Sequence, residues 1–148
     1  IPLGKRAPQR QAYRMWELRR WPAVLGIEIN IEPKYFPVDD GPSAKIAVLA
    51  QRDGGDISRL SLEFLRAVWQ EERNITDGDT LVAITDDCGF DGKALYEESL
   101  SEQANTLLKA NCNRANEAEI FGAPTYVLDG EPFWGQDRLD LLERVLTA

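Results

Sequence analysis

The side chains able to do chemistry are few in kind. The chain has no histidine and two cysteines, Cys88 and Cys112. Without histidine, these residues cannot form a Ser-His-Asp or Cys-His nucleophile or a His-ligated metal site. The two cysteines do not form a Cys-x-x-Cys pair, so within these residues neither a thioredoxin-type redox pair nor a zinc knuckle can be proposed. They read as buried, unpaired and inert thiols suited to a reducing cytosol. What remains is arginine, Asp137 and the main chain itself.

The stretch from Phe121 to Leu139 is the most informative. Gly122-Ala123-Pro124 can form a tight loop with a cis peptide at Ala123–Pro124. Such a loop leaves the Ala123 N–H and C=O unpaired by their own sheet. An extended peptide can dock there as an added strand, the alternative being an ordinary loop-to-strand turn. Asp137 stands at the start of the closing helix, where aspartate is a favoured cap. N–H groups near Gln136 and Asp137 can hold a carboxylate. Trp134 and Gly135 fall on the same rim, although Trp134 could equally be core, and Arg138 reads as a surface or salt-bridge residue. Arg10 and Arg14, one helical turn apart, share a face from which they could reach a carboxylate.

Charge narrows the class. The 148 residues carry 17 basic and 25 acidic side chains, a net −8, which argues against a nucleic-acid binder. The first 20 residues are the exception, with Lys5, Arg6, Arg10, Arg14, Arg19 and Arg20 against Glu17 alone. That cluster is either a solvated helix face or an attractor for a small anion. At 43% hydrophobic and 28% charged the composition is that of a soluble globular protein. No apolar run approaches the roughly 20 residues of a membrane span, and the N-terminus shows no secretory signal pattern.

The elements that must position these groups follow from periodicity and breakers. A helix starts near Pro8 with Leu18, Trp21 and Leu25 on one face, and Gly26 stops it. Pro22 threatens to kink or end it early. Ile27, Ile29 and Ile31 alternate as a short extended segment, and Pro33 to Pro42 is a loop. Ser43 to Arg52 is helical up to the Gly54-Gly55 breaker. Ser58 caps the next helix, whose inner face is Leu62, Leu65 and Trp69. Asn74 to Gly78 is a turn. Helices follow over Asp79 to Cys88, Lys93 to Leu100 and Ser101 to Glu119, the last capped by Ser101. Tyr13, Trp16, Trp21 and Trp69 read as core aromatics. Pro124 to Leu128 and Pro132 to Trp134 flank Asp129-Gly130, a strong hairpin turn. The final helix presents Leu139, Leu142 and Leu146, with Val145 beside them. A lone hairpin is marginal in water, and Pro124 and Pro132 lack N–H donors, so partner strands are expected upstream of Ile1.

The run Gly122-x-Pro124-Thr125, followed by Phe133-Trp134-Gly135-Gln136-Asp137-Arg138-Leu139-Asp140-Leu141-Leu142, resembles the 2-hydroxychromene-2-carboxylate isomerase family. That family is related to kappa-class glutathione transferases and DsbA-type oxidoreductases. The Arg10-x-x-Tyr13-Arg14-Met15 helix with Arg19-Arg20-Trp21, and the Tyr35-Phe36-Pro37 loop, look like its helical insertion, so the resemblance covers the whole chain. It implies an α/β, thioredoxin-like fold with a large all-helical insertion over residues 1–121. Residues 122–148 would be the C-terminal hairpin and helix, with the N-terminal βαβ part absent.

The resemblance also implies a cytoplasmic, glutathione-dependent isomerase of aromatic degradation. Its partner is a small aromatic carboxylate, which isomerises through reversible thiolate addition; it uses no metal and binds no nucleic acid or membrane, and a homodimer is expected. Glutathione's cysteinyl backbone would pair with Ala123 beside Pro124, Asp137 would hold its α-ammonium, and Trp134, Gly135 and Gln136 would complete the cofactor site. Arg10 and Arg14 would face a carboxylate of glutathione or substrate. The catalytic group, a serine on an N-terminal strand, is expected upstream of Ile1 rather than in this chain. A kappa-like transferase or DsbA-like thiol oxidoreductase shares the scaffold and is the alternative reading, and a non-catalytic helical binding module is the third.

Overall fold

Aspartates mark most of the helix starts. Asp56, Asp77 and Asp91 each stand in extended backbone and accept an amide from the first turn, from Ser58, Thr80 and Ala94, at 2.9 Å. Each satisfies a donor that the helix itself cannot. The computed structural model describes residues 3–147. Its helices are α1 (Pro8–Leu25), α2 (Gly41–Arg52), α3 (Ile57–Trp69), α4 (Gly78–Asp87), α5 (Gly92–Ser99), α6 (Glu102–Glu117) and α7 (Leu139–Leu146). The strands are β1 (Thr125–Leu128) and β2 (Glu131–Trp134). The chain divides into two compact units, Ile1–Ala104 and Asn105–Ala148, with the boundary inside α6. No helix among the described residues is long and apolar enough to cross a membrane.

The first unit is built on α2 to α5. Ile46 and Leu49 of α2, Leu60 of α3, and Leu81 and Ile84 of α4 are buried to 2% exposure or less, and Leu95 of α5 joins them. Burying such side chains contributes roughly 1.5–3 kcal/mol each. Thr85 shares this core without penalty, because its hydroxyl donates to the Leu81 carbonyl at 2.7 Å. At the surface Arg52 ties α2 to Glu98 of α5, with Nη2 3.0 Å from Oε2, and it also pairs with Asp53.

Helix α1 runs through Pro22 and ends at Gly26, whose φ of 66° suits glycine, so the proline neither ends it nor shortens it. The isoleucine segment does not form a strand. Its main chain instead meets the end of α3, where the Asn30 N–H donates to the Trp69 carbonyl at 2.6 Å and the Gln70 side chain donates to the Glu28 carbonyl at 2.7 Å. The cap of α3 is Asp56, and Ser58 supplies the amide it accepts. The inner face of α3 is Leu60, Phe64, Ala67 and Val68, whereas Leu62 and Leu65 are 53% and 60% exposed. Tyr13 and Trp16 are also exposed, at 58% and 56%. Trp16 lies under the guanidinium groups of Arg19 and Arg20, at 5.7 and 5.8 Å, which is a solvent-side use of an aromatic ring. Trp21 is half-buried and donates to Glu17 at 2.9 Å, and Trp69 is half-buried against Phe36. The cysteines are free, Cys88 half-buried and Cys112 exposed, so neither is a core thiol.

In the second unit β1 and β2 pair antiparallel, with Thr125 opposite Trp134 and Leu128 opposite Glu131. Asp129 and Gly130 make the turn at φ 50° and 87°, the left-handed pair that a two-residue hairpin demands. Phe133 is the buried side chain of the hairpin, and α7 lies against β2. Leu142 is the half-buried position of α7, while Leu139, Val145 and Leu146 are exposed.

Candidate functional site

The hairpin holds its two ends together just where the motif lies. The Gly135 N–H donates to the Pro124 carbonyl at 2.9 Å, continuing the ladder one step beyond Thr125 and Trp134. The Thr125 hydroxyl reaches back to the Gly122 carbonyl at 2.5 Å and closes the loop. Between them the Ala123–Pro124 peptide is cis. Ala123 is exposed, and neither its N–H nor its C=O makes a hydrogen bond with another described residue. A donor and an acceptor of one residue are thus presented side by side at the head of a strand.

Trp134 covers this corner. It is 51% exposed, so it is a rim residue and not core. Its ring meets Phe121 edge-on, with centroids 4.8 Å apart. It also lies over Gly122, where an added Cβ would come within 2.5 Å of the indole nitrogen. Gly135 has φ 108°, a conformation that favours glycine, and Asp137 folds back over its bare Cα.

Asp137 does not cap the last helix. It sits inside a one-turn helix, Gln136–Arg138, that precedes α7, and neither helical start carries a side-chain cap. Its Oδ2 pairs with Arg138 Nη1 at 2.8 Å, with both side chains about half exposed. Oδ1 engages no donor among the described residues. The N–H groups of Gln136 and Asp137 likewise make no hydrogen bond with another described residue. Within a few residues the chain therefore offers a free carboxylate oxygen for a cation and free amides for an anion.

The sequence placed Phe121 and Thr125 in the informative stretch but assigned neither a role at the site. Phe121 buttresses the tryptophan, and the Thr125 hydroxyl fixes the loop; both flank the Gly-x-Pro motif, which was their only signal. The weaker candidates Arg10 and Arg14 belong to the other unit. Arg10 is exposed, its N–H donates to the Ala7 carbonyl at 2.9 Å, and its side chain has no partner among the described residues. The Arg14 guanidinium is engaged over the rings of Phe36 and Trp69, at 5.2 and 5.9 Å. The expected serine upstream of Ile1 lies outside the described residues. Burial pushes the Cys88 thiol above its ordinary range, against an opposing pull from Arg59, so it is poorly suited to act as a nucleophile. Among the described residues no cluster of acids and cysteines is placed to hold a metal.

Comparison with known proteins agrees with this architecture. A family model described as a DSBA-like thioredoxin domain matches residues 1–147. The chain is 28% identical over 132 residues to 2-hydroxychromene-2-carboxylate isomerase of Sphingobium xenophagum, covering 89% of this chain and 66% of that protein. It is 30% identical over 138 residues to the protein of the same name from Pseudomonas putida, covering 90% and 64%. It thus spans just under two-thirds of the length of these relatives. A solved structure of selenomethionyl 2-hydroxychromene-2-carboxylate isomerase superposes with a TM-score of 0.74 at 23% identity, over 99% of this chain and 77% of that one. The fold is thioredoxin-like, rich in helix and with a small two-stranded sheet.

Proposed function

We propose, from the premise that the chain belongs to the DSBA-like thioredoxin domain family, that it is the glutathione-holding part of an isomerase of the 2-hydroxychromene-2-carboxylate type. The reading is supported by the names of its relatives and by the free polar groups of the Phe121–Arg138 corner. The single observation that carries it is Ala123, whose exposed N–H and C=O have no partner in the protein's own sheet.

Glutathione fits these groups. Its cysteinyl residue has the matching donor and acceptor for Ala123. Its γ-glutamyl head carries an ammonium for Asp137 Oδ1 and a carboxylate for the Gln136 and Asp137 amides. When bound, it supplies a thiolate that adds reversibly to a conjugated carbon, so that the substrate's double bond can rotate and re-form. The chain's own part is orientation. Ala123 beside Pro124 sets the direction of the peptide, Asp137 and Gln136 fix its charged end, and Trp134 with Gly135 walls the rim. Fixing a reactant in this way removes an entropic part of the barrier.

The test is calorimetric titration of the protein with glutathione, alongside Asp137→Asn. Two unit charges 4 Å apart interact by about 1 kcal/mol in water and about 4 kcal/mol at an effective dielectric of 20. Asp137 is 44% exposed, so the lower part of that range applies and affinity should fall about tenfold. Cysteinylglycine, which lacks the γ-glutamyl head, should bind both proteins equally. Glutathione that fails to bind, or binds Asp137→Asn unchanged, refutes this assignment. Absorbance assay of 2-hydroxychromene-2-carboxylate with glutathione then tests the reaction itself.

A further inference from the structure

The Ile1–Ala104 unit contains a cleft of its own, of about 360 Å³, between α2, α3 and the loop that carries Phe36. Its walls include the rings of Phe36, Phe64 and Trp69, with Ala47 and Val68 between them. Phe36 and Trp69 meet at 4.7 Å, and the Arg14 guanidinium rests on both rings without lining the cleft. The walls are therefore braced, as a preformed site requires.

The polar groups on this lining are few. Ser43 is committed, its hydroxyl donating to the Asp40 carbonyl at 2.9 Å. Ser61 is a second hydroxyl. Asp40 is the one charged residue of the lining, and its carboxylate caps no helix amide although the residue stands at the start of α2. An apolar hollow with a few convergent polar groups is the usual form of a small-molecule site.

We propose that this cleft binds a flat, uncharged arene of about two to three fused rings bearing one hydrogen-bond donor, such as an aryl amine or a hydroxyarene. The rings stack among Phe36, Phe64 and Trp69, and the donor meets the Asp40 carboxylate. An aryl carboxylate is disfavoured, because it brings a like charge to Asp40 and no cation among the described residues lines the cleft to balance it. The site lies in the unit that does not contain Ala123 and Asp137, and the proposal does not rest on the glutathione reading.

The test uses 1-aminoanthracene and its anionic counterpart anthracene-1-carboxylate, with the whole chain. Fluorescence titration should show saturable one-to-one binding of the amine and about tenfold weaker binding of the carboxylate. Amide shifts in a nitrogen-15 spectrum should centre on Ala44, Ala47, Ser61 and Val68. Asp40→Asn should bring the two affinities to within about threefold, and Ala47→Phe, which fills the cleft, should weaken the amine at least about tenfold. Saturating glutathione should change none of these values. Absence of saturable binding, shifts centred outside the cleft, or a carboxylate that binds as well as the amine overturns the proposal. The shift map decides the location even where Ala47→Phe fails to fold.

Discussion

Gly122→Ala is a sharp perturbation of the corner, because its consequences can be worked from one contact. The backbone at Gly122 is not left-handed, so alanine meets no conformational resistance there. Its new methyl would lie 2.5 Å from Trp134 Nε1 and 3.0 Å from Cε2. Ordinary carbon contacts begin near 3.5 Å, so the indole must retreat by roughly 1 Å. Trp134 is half exposed and has solvent to move into, which avoids the larger cost of overpacking a closed core. What is lost is the edge contact with Phe121, worth about 0.5–1.5 kcal/mol. The variant should lose about 1 kcal/mol by urea titration, change its near-ultraviolet tryptophan dichroism, and bind glutathione about fivefold more weakly. In a Trp134→Ala background the same substitution should cost almost nothing, since no ring remains to displace. Equal costs in the two backgrounds would show that the glycine is required for some other reason, and the packing argument would fail.

Three further outcomes follow from the structure. Gly92→Ala should destabilise the helical unit by about 1–3 kcal/mol, lowering Tm by at least about 4 °C. The added methyl runs into the Val82 carbonyl and comes within 2.8 Å of Asp86 Oδ1, and main chain cannot step aside; an unchanged Tm refutes it. Stability should fall on acidification below about pH 4, because five carboxyls are held below their ordinary range, Glu17 among them through its hydrogen bond from Arg20. Asp53 and Glu98 are held there by hydrogen bonds from Arg52, Asp56 by Ser58, and Asp77 by the Thr80 amide. Groups lowered in this way stabilise the fold above their unfolded pKa and lose that contribution as pH falls through the folded one. Urea midpoints at pH 6, 4.5 and 3 check this, and a flat profile contradicts it. Finally, exposed Cys112 should react with a thiol reagent at neutral pH well before Cys88, whose burial raises its pKa. Mass mapping of the first modified site decides between them.

The hairpin corner was legible because its geometry is written within a few residues. Asp129-Gly130 fixes the turn, the turn fixes the register, and the register places Pro124 opposite Gly135 without help from distant packing. The helices were legible in number and extent for the same local reason, their breakers and caps. What sequence did not disclose is which face each helix buries. On α3 one apolar set, Leu62, Leu65 and Trp69, has helical spacing, but a second, Leu60, Phe64, Ala67 and Val68, has it too and spans a wider stripe. Only packing against α2 and α4 selects the second set. On α1 the aromatic residues were ambiguous because a ring can be covered by core or by arginine. The four arginines on this helix settle part of that question, for Trp16 is covered by Arg19 and Arg20 while remaining in contact with water. The isoleucine alternation misled because period two states which side chains share a face and supplies no partner. With the end of α3 taking its main-chain hydrogen bonds, that segment has no ladder to join. At Asp137 composition favoured a cap, yet the one-turn helix around it places the carboxylate beside Arg138 and leaves one oxygen free. That freed oxygen is what gives the corner a place for a cation, so the failure of the capping rule is informative about the site.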